Sequence, residues 1–371
     1  MSGRIFIHVG LQKTGTSYLQ GIVFASVEQL GAQGVAVVPP TKRATFWLML
    51  DIRGRYRDFD PPGVATAARD FAATLAATSA PTALVSEESL APADEEQIVR
   101  LLRACGDREV HVVMTLRDLA RQIPSAWQES LKAGASTSFD TYLKKLARTE
   151  PVPGHTLWRQ KDVPTLIDAW ARHVPSERIH VVTVPPPGSD PELLLERFCQ
   201  VLGVDSSELE RGVLRKNEAL KHVGAEVLRR VNEQLAPTHR QRDVYGDVAK
   251  RYLSTQILAQ QDGDRTQIPE SHREWTQNVS RRHIDHLRSM GVDIVGDLAD
   301  LYPGPEGFST QSTQPTEAAV NGVAIKALAI VVGDEMDRRR AAREAATQQP
   351  APRARLLSRM SRVRARLRRR G

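Results

Sequence analysis

Residues His8 to Gln20, "HVGLQKTGTSYLQ", place Gly10 and Gly15 around a lysine, Lys13, with Thr16 and Ser17 directly after the second glycine. Glycine lets a backbone turn tightly and come close to a ligand, and the first N–H groups of a helix have no partner within it. A strand before such a loop and a helix after it therefore make an anion site. The expected donors are the amides of Thr14, Gly15, Thr16 and Ser17, with the Thr16 and Ser17 hydroxyls beside them and Lys13 as a point charge. Triphosphate loops follow the pattern G-x-x-x-x-G-K-[ST], with the hydroxyl residue on Mg²⁺. Here the glycine spacing is kept, but no lysine follows Gly15; Lys13 precedes it. That departure suits a ligand that needs no metal and carries less charge at its reacting end than a triphosphate.

Two further stretches could do chemistry. "TLRDLARQIPSAWQ" leaves a strand and enters a helix, with Arg117 and Ser125 eight residues apart. A guanidinium fork matches phosphate oxygens bidentately, and a serine hydroxyl adds a donor. Arg121, one helical turn past Arg117, either extends that basic pocket or forms a salt bridge. "LVSEESL" ends a strand with Glu87 and Glu88. Neighbouring strand residues face opposite ways, so one of the two is expected to point at a ligand. A partly desolvated glutamate has a raised pKa, which suits a base near neutrality. His8 and His111 are rival bases, although both lie in apolar strands where a hydrogen-bonded core histidine is the alternative.

The elements that must position these residues alternate along the chain. Strands are expected at Arg4–Val9, Gly34–Pro39, Thr82–Glu88, Glu109–Leu116 and Arg178–Val184, separated by helices such as the one from Thr16 through Leu30. Near-continuous apolar strands alternating with helices argue for an α/β fold of three layers, α/β/α, around a central parallel sheet. Ligands bind such sheets at the carboxyl ends of the strands, which puts His8–Gly15, Ser86–Glu88 and Arg117 on one rim. The chain after Val184 reads as mostly helical elaboration. "GPEGFSTQSTQPT", Gly304 to Thr316, is a linker by composition, and Gly322–Gly333 reads as a short buried helix or strand. The division expected is a main domain over 1–303, a linker and short helix over 304–336, and a basic tail over 337–371.

Composition excludes several classes. At 371 residues with 41% hydrophobic and 26% charged residues and a mean hydropathy of −0.36, the chain can bury a sizeable core and has no membrane-spanning run. Its two cysteines, Cys105 and Cys199, lack metal-ligand spacing and suit reduced thiols in a cytoplasm, and the N-terminus lacks a signal-peptide pattern. The net charge of +7 is misleading: residues 337–371 hold 13 arginines and two acids, +11, which leaves −4 on the other 336 residues. A nucleic-acid partner is therefore not expected. Instead, "RARLLSRMSRVRARLRRR" sets Leu356, Met360, Val363 and Leu367 at helical spacing among arginines. That pattern reads either as an amphipathic helix on anionic lipid at the inner membrane face or as a solvated tail.

"KTGTS" after a strand, with "HVG" ahead of it, resembles the 5′-phosphosulfate loop of sulfotransferases that use 3′-phosphoadenosine-5′-phosphosulfate (PAPS), especially the bacterial carbohydrate-type branch with its P-loop NTPase-like fold. The Arg117–Ser125 pair resembles that family's 3′-phosphate site, with Leu119 where members often have proline. The resemblance covers residues 4 to 235. It implies that Lys13–Ser17 hold the 5′-phosphosulfate, that Arg117 and Ser125 hold the 3′-phosphate, that Lys13 acts on the leaving phosphate, and that Glu88, or failing it Glu87, is the base. It implies PAPS as co-substrate, PAP as product, no metal, and a small-molecule, glycan or glycolipid acceptor. "RKNEALKHVG" resembles a downstream family stretch in which Arg215 or Asn217 reaches the nucleotide, with Ala219 in place of a serine; Trp127, often aromatic in the family, also reads as core. Two other readings stay open: a P-loop kinase, which should depend on Mg²⁺, and a nucleotide-binding or membrane-scaffold protein without turnover.

Overall fold

The computed structural model describes residues 3–149, 155–211, 219–240 and 242–348. Elements β1 (Arg4–His8), α1 (Thr16–Ala25), α2 (Val27–Ala32), β2 (Val35–Val37), α3 (Lys42–Ile52), α4 (Ala67–Ala77) and β3 (Thr82–Ser86) come first. Then follow α5 (Glu95–Ala104), β4 (Glu109–Leu116), α6 (Leu119–Lys132), α7 (Phe139–Arg148), α8 (Val163–Ala171), β5 (Ile179–Thr183) and α9 (Leu193–Leu202). The later part holds α10 (His222–Gln234), α11 (Arg242–Tyr245), a π-wound stretch (Gly246–Ile257), β6 (Ile268–Pro269), α12 (Arg273–Met290), β7 (Asp293–Val295), β8 (Phe308–Ser309) and α13 (Glu317–Gln348). Six strands form one sheet in the order β2-β3-β1-β4-β5-β7, and every pairing is parallel.

The apolar runs of the strands are explained by burial on both faces. Successive side chains point to opposite sides of a sheet. Ile5, Ile7, Ala83, Val85, Val112, Met114, Ile179 and Val181 join one cluster with Leu48 of α3, Phe71 of α4, Ile98 of α5, Trp170 of α8 and Leu287 of α12. Between them, Phe6, Leu84, Val113 and Val182 join the opposite cluster with Leu19 and Ile22 of α1 and with Leu195 and Phe198 of α9. The fold is thus the expected three-layer α/β/α arrangement around a parallel sheet. A third cluster of α6, α7, α10 and α13 residues, including Trp127, Leu143, Leu228 and Val320, is the helical elaboration.

Three local expectations are corrected. The helix expected through Leu30 breaks at Ser26, whose φ of −107° lies outside the helical range, so α1 and α2 are separate. Part of the expected 304–316 linker is structured, because Phe308–Ser309 pairs in parallel with Ile268–Pro269. The segment Gly322–Gly333 is not a short buried element. It lies inside the 32-residue helix α13, across the expected boundary at 336, and its Ile325, Leu328, Ile330 and Val332 are exposed. The helix is covered on one face only, chiefly by α10, so an apolar segment is half buried where full burial was expected.

Neither rival histidine stands as a free base. His8 is fully buried with Nδ1 2.7 Å from the Ser86 hydroxyl, and burial pushes its pKa down to about 3. His111 lies near the start of β4, at the opposite end of that strand from Arg117. There it joins Glu109 and His180 at 2.9 Å each, and His180 joins Asp293 at 2.7 Å. The two outer bonds need N–H donors facing carboxylates, and the ring-to-ring bond needs one more. That chain is complete when one of its two imidazoles is protonated on both nitrogens.

Burial sets an acid limit on stability. His8 and His283 are both held neutral down to about pH 3 by desolvation, whereas an unfolded histidine gains its proton near pH 6.5. Between those values the unfolded state binds more protons, so stability is lost as pH falls below 6.5. Each site should contribute about 2 kcal/mol of loss between pH 7 and pH 5. Urea unfolding at the two pH values should show it, and His8→Asn, which keeps a polar contact to Ser86 but cannot titrate, should reduce the acid-induced loss by about one histidine's share. An unchanged acid slope in that variant would contradict the assignment.

Candidate active site at the sheet rim

The loop between β1 and α1 is fastened to the end of β4 at alternate residues. Gly10 N–H donates to Val113 O at 3.3 Å, Leu11 N–H to Thr115 O at 3.2 Å, and Arg117 Nη1 to Lys13 O at 3.2 Å. The Thr14 hydroxyl is turned inward, 2.8 Å from the Thr115 hydroxyl and donating to Leu11 O. Gln122 adds a side-chain tie from α6, donating to Gln12 O at 3.0 Å and Gln160 O at 2.9 Å. These contacts hold a backbone that would otherwise be unfavourable. Lys13 has φ +70°, the sole described non-glycine with positive φ, and Gly15 has φ +88° as the residue that opens α1. A Cβ on Gly10 would come within 2.4 Å of Thr16 Cγ2, so that turn admits no side chain. Among the described hydrogen bonds, no backbone or side-chain acceptor takes the N–H groups of Thr14, Gly15, Thr16 or Ser17.

A cavity of about 430 Å³ opens beside this loop. Lys13, Gly15, Thr16, Ser17, Glu88, Arg117 and Ser125 all line it, so the three sequence stretches converge on one space. Thr14 does not; it is fully buried and its hydroxyl is used within the protein. Arg117 projects from the β4 end, and its Nε is buried without a partner. Burial, reinforced by Arg121, lowers its pKa to about 10, which still leaves it charged at neutral pH. Ser125 reaches the cavity while its hydroxyl donates to Arg121 O at 3.0 Å, so offering that proton to a ligand requires the hydroxyl to rotate. Arg121 does not join the pocket. It pairs with Asp118 and donates to Pro185 O at 2.8 Å and Val184 O at 3.3 Å, fixing the start of α6 to the end of β5.

The two glutamates separate just past the end of β3, where Glu87 is still extended and Glu88 opens a short 3-10 turn, so strand alternation does not set their directions. Glu87 is 7% exposed, and its carboxylate folds back to accept from Ser89 N–H at 3.0 Å. Burial raises its pKa above the usual carboxylate range. It does not line the cavity. Glu88 does, and its Oε2 is buried without a hydrogen-bond partner. Trp127 is core, with Nε1 donating to Thr137 O at 2.9 Å. Arg215 and Asn217 lie outside the described residues, whereas Ala219 lines the cavity.

Three lining residues, Glu129, Lys132 and Lys250, carry charge that the sequence reading did not assign. Glu129 bridges Lys13 and Lys250, with both N–O distances 2.7 Å. Burial opposes its ionisation, but the two ammonium groups together outweigh that and hold its pKa at about 2. Lys132 lines the same wall, its pKa lowered by burial and by Lys13. Gln128, Glu129 and Lys132 follow Ser125 at +3, +4 and +7, one face of α6, and that spacing was legible once Ser125 had been chosen. Lys250 comes from the π-wound stretch more than 100 residues later, and no local pattern marks it.

No family model and no curated protein matches the chain. Among solved structures, a sulfotransferase from Alicyclobacillus acidocaldarius is similar over 65% of this chain and 100% of its own, at 16% identity and a TM-score of 0.37. A likeness of that size does not establish a shared fold, and the architecture given above rests on the strand order and pairing.

The ionic bridge predicts the effect of removing its centre. Glu129→Gln deletes a negative charge beside Lys13 and Lys250 while leaving an amide of the same shape. An anion held beside Lys13, probed with inorganic pyrophosphate, should bind tighter by about 1 kcal/mol, roughly fivefold, in titration calorimetry. Weaker binding in the variant would mean that Glu129 is needed to aim Lys13.

Proposed function

We propose that the chain is a sulfotransferase that moves a sulfuryl group from PAPS to a hydroxyl or amine of an acceptor. The observation that carries this reading is the pairing of two orphaned buried atoms in one cavity, the donor Arg117 Nε and the acceptor Glu88 Oε2, beside a loop of free amides. A molecule with anionic groups at two places and a proton to lose at a third would satisfy all of them. The donor set fits the adenosine bisphosphate part: amides of Thr14 to Ser17 with Lys13 for the 5′ end, and Arg117 with Ser125 for the 3′-phosphate.

PAPS would supply the sulfuryl group, whose bond to the 5′-phosphate oxygen breaks as the bond to the acceptor forms. Glu88 would take the acceptor proton, because the other carboxylate lining the cavity, Glu129, is already paired with Lys13 and Lys250. Lys13 and the loop amides would offset the negative charge left on the 5′-phosphate. Lys13 must first leave Glu129, and Lys250 stays to keep that carboxylate paired. The fixed loop backbone means that these amides need no rearrangement as the charge appears, which is where preorganised donors contribute most. Lys132 and Lys250 would raise the positive potential of the wall facing the nucleotide.

Calorimetry with PAP against ATP–Mg²⁺ tests the reading. PAP should bind without Mg²⁺, and Lys13→Ala and Arg117→Ala should each weaken it by about 1.5–3 kcal/mol through loss of charge-assisted bonds. Glu88→Gln should leave PAP binding in place while sulfuryl transfer over an acceptor panel drops by about 10²–10⁴. Preference for ATP–Mg²⁺ would move the protein to the kinase reading, and PAP binding without any turnover would make it a nucleotide-binding protein that does not transfer.

A further inference from the structure

The molecule's exposed apolar surface is concentrated on α13. Of the eleven large hydrophobic residues exposed among the described residues, five lie between Ile325 and Met336. The helix has two apolar faces. One, made by Val320, Val323, Ala324, Ala327 and Val331, joins the core cluster shared with α10. The other runs at spacings of three and four through Ile325, Leu328, Val332 and Met336 and continues on the same line to Arg339 and Arg343. Those four apolar residues are 66%, 62%, 50% and 60% exposed, so the described residues cover none of them well.

We infer that this stripe is a membrane-surface contact, lying in the headgroup boundary of an anionic phospholipid bilayer with α13 parallel to the plane. No described helix is long and apolar enough to cross a membrane, which leaves a helix lying on the surface. The charge of the chain beyond α13 selects the lipid. Residues 349–371 carry nine arginines and no acid, and Arg343, at the end of the stripe, has no carboxylate partner among the described residues. An apolar face gives shallow insertion and a polybasic segment gives attraction to anionic headgroups. Together they make the two signals that stable peripheral attachment requires.

The two other occupants fit less well. A helical fold-back of residues 353–371 after a four-residue turn at 349–352 would set Gln348 opposite Arg353 and Val332 opposite Arg369. Val332, half exposed in the stripe, would then meet a charged side chain. In that register Leu356 and Met360 would face Ala345 and Ala341 rather than the stripe. A second copy across the stripe would bury on the order of 800 Å² in total, below the roughly 1,200 Å² at the lower end of stable interfaces.

Sedimentation of the full chain with vesicles tests this, using phosphatidylcholine alone and phosphatidylcholine with 30% phosphatidylglycerol (an illustrative composition of about that anionic content). The full chain should bind the anionic vesicles and not the neutral ones. Replacing the four stripe residues together by serine (Ile325→Ser, Leu328→Ser, Val332→Ser, Met336→Ser) should lower the partition coefficient at least about tenfold. Because those side chains are exposed, circular dichroism and PAP affinity should be unchanged, which separates this inference from the reading of the nucleotide site. A chain ending at Gln348 should bind more weakly than the full chain but lose its remaining binding when the stripe is replaced. Undiminished binding by the fourfold variant would overturn the inference, as would equal binding to neutral vesicles. Light scattering that shows a dimer lost in the same variant would overturn it in favour of a second copy.

Discussion

The donation from Arg117 to the carbonyl of Lys13 is the contact on which the site depends. It joins the end of β4 to the loop after β1, two strands that are neighbours in the sheet although their residues are about 100 positions apart in the chain. Lys13 sits at positive φ, a conformation that a lysine alone would not choose, and the surrounding ties from Val113, Thr115 and Gln122 over-determine it. The result is a turn whose Lys13 carbonyl is held by Arg117 and whose following residues Gly15, Thr16 and Ser17 line the cavity with amides that have no acceptor among the described hydrogen bonds. A guanidinium placed to brace the loop is also placed beside whatever anion the loop holds, so the brace and the ligand contact are one residue.

Charge in the cavity is partly offset before any ligand enters, with a positive excess left over. Four cationic side chains, those of Lys13, Lys132, Lys250 and Arg117, share the space with Glu88 and Glu129. Close cations repel in a half-desolvated wall, and the lowered pKa values of Arg117 and Lys132 express that together with burial. Glu129 relieves it by holding two ammonium groups, which keeps Lys13 in an ordered position without leaving a buried charge unpaired. In the proposed reaction an entering anion would replace Glu129 as the partner of Lys13, exchanging one ion pair for another.

Much of the architecture was legible because its cause is local. Strands buried on both faces must be apolar throughout, so "RIFIHV" and "EVHVVMTL" announce a covered parallel sheet, and the rim rule then brings the loop, Arg117 and Glu88 together. Which glutamate reaches the cavity was undecided from sequence, because strand alternation says only that strand neighbours diverge, and β3 ends before either of them. Arg121 was likewise open, and the carbonyls of Val184 and Pro185, brought near by the β4–β5 pairing, decide it for structure. Lys250 was out of reach because its place depends on how a distant irregular helix returns to the rim. The mistaken burial of Gly322–Gly333 has the same origin. Hydrophobicity says that a segment avoids water, and only the tertiary arrangement says on how many sides it is covered. The expected amphipathic tail at Leu356–Leu367 lies outside the described residues.

The most direct test of the central claim is a crystal structure of the chain with PAP bound. The account predicts the 5′-phosphate on the amides of Thr14 to Ser17 and the 3′-phosphate within hydrogen-bond reach of Arg117, with Nη1 of the same guanidinium still on Lys13 O. A nucleotide seated away from the Gly15 turn, or an Arg117 side chain facing away from the bound molecule, would contradict it.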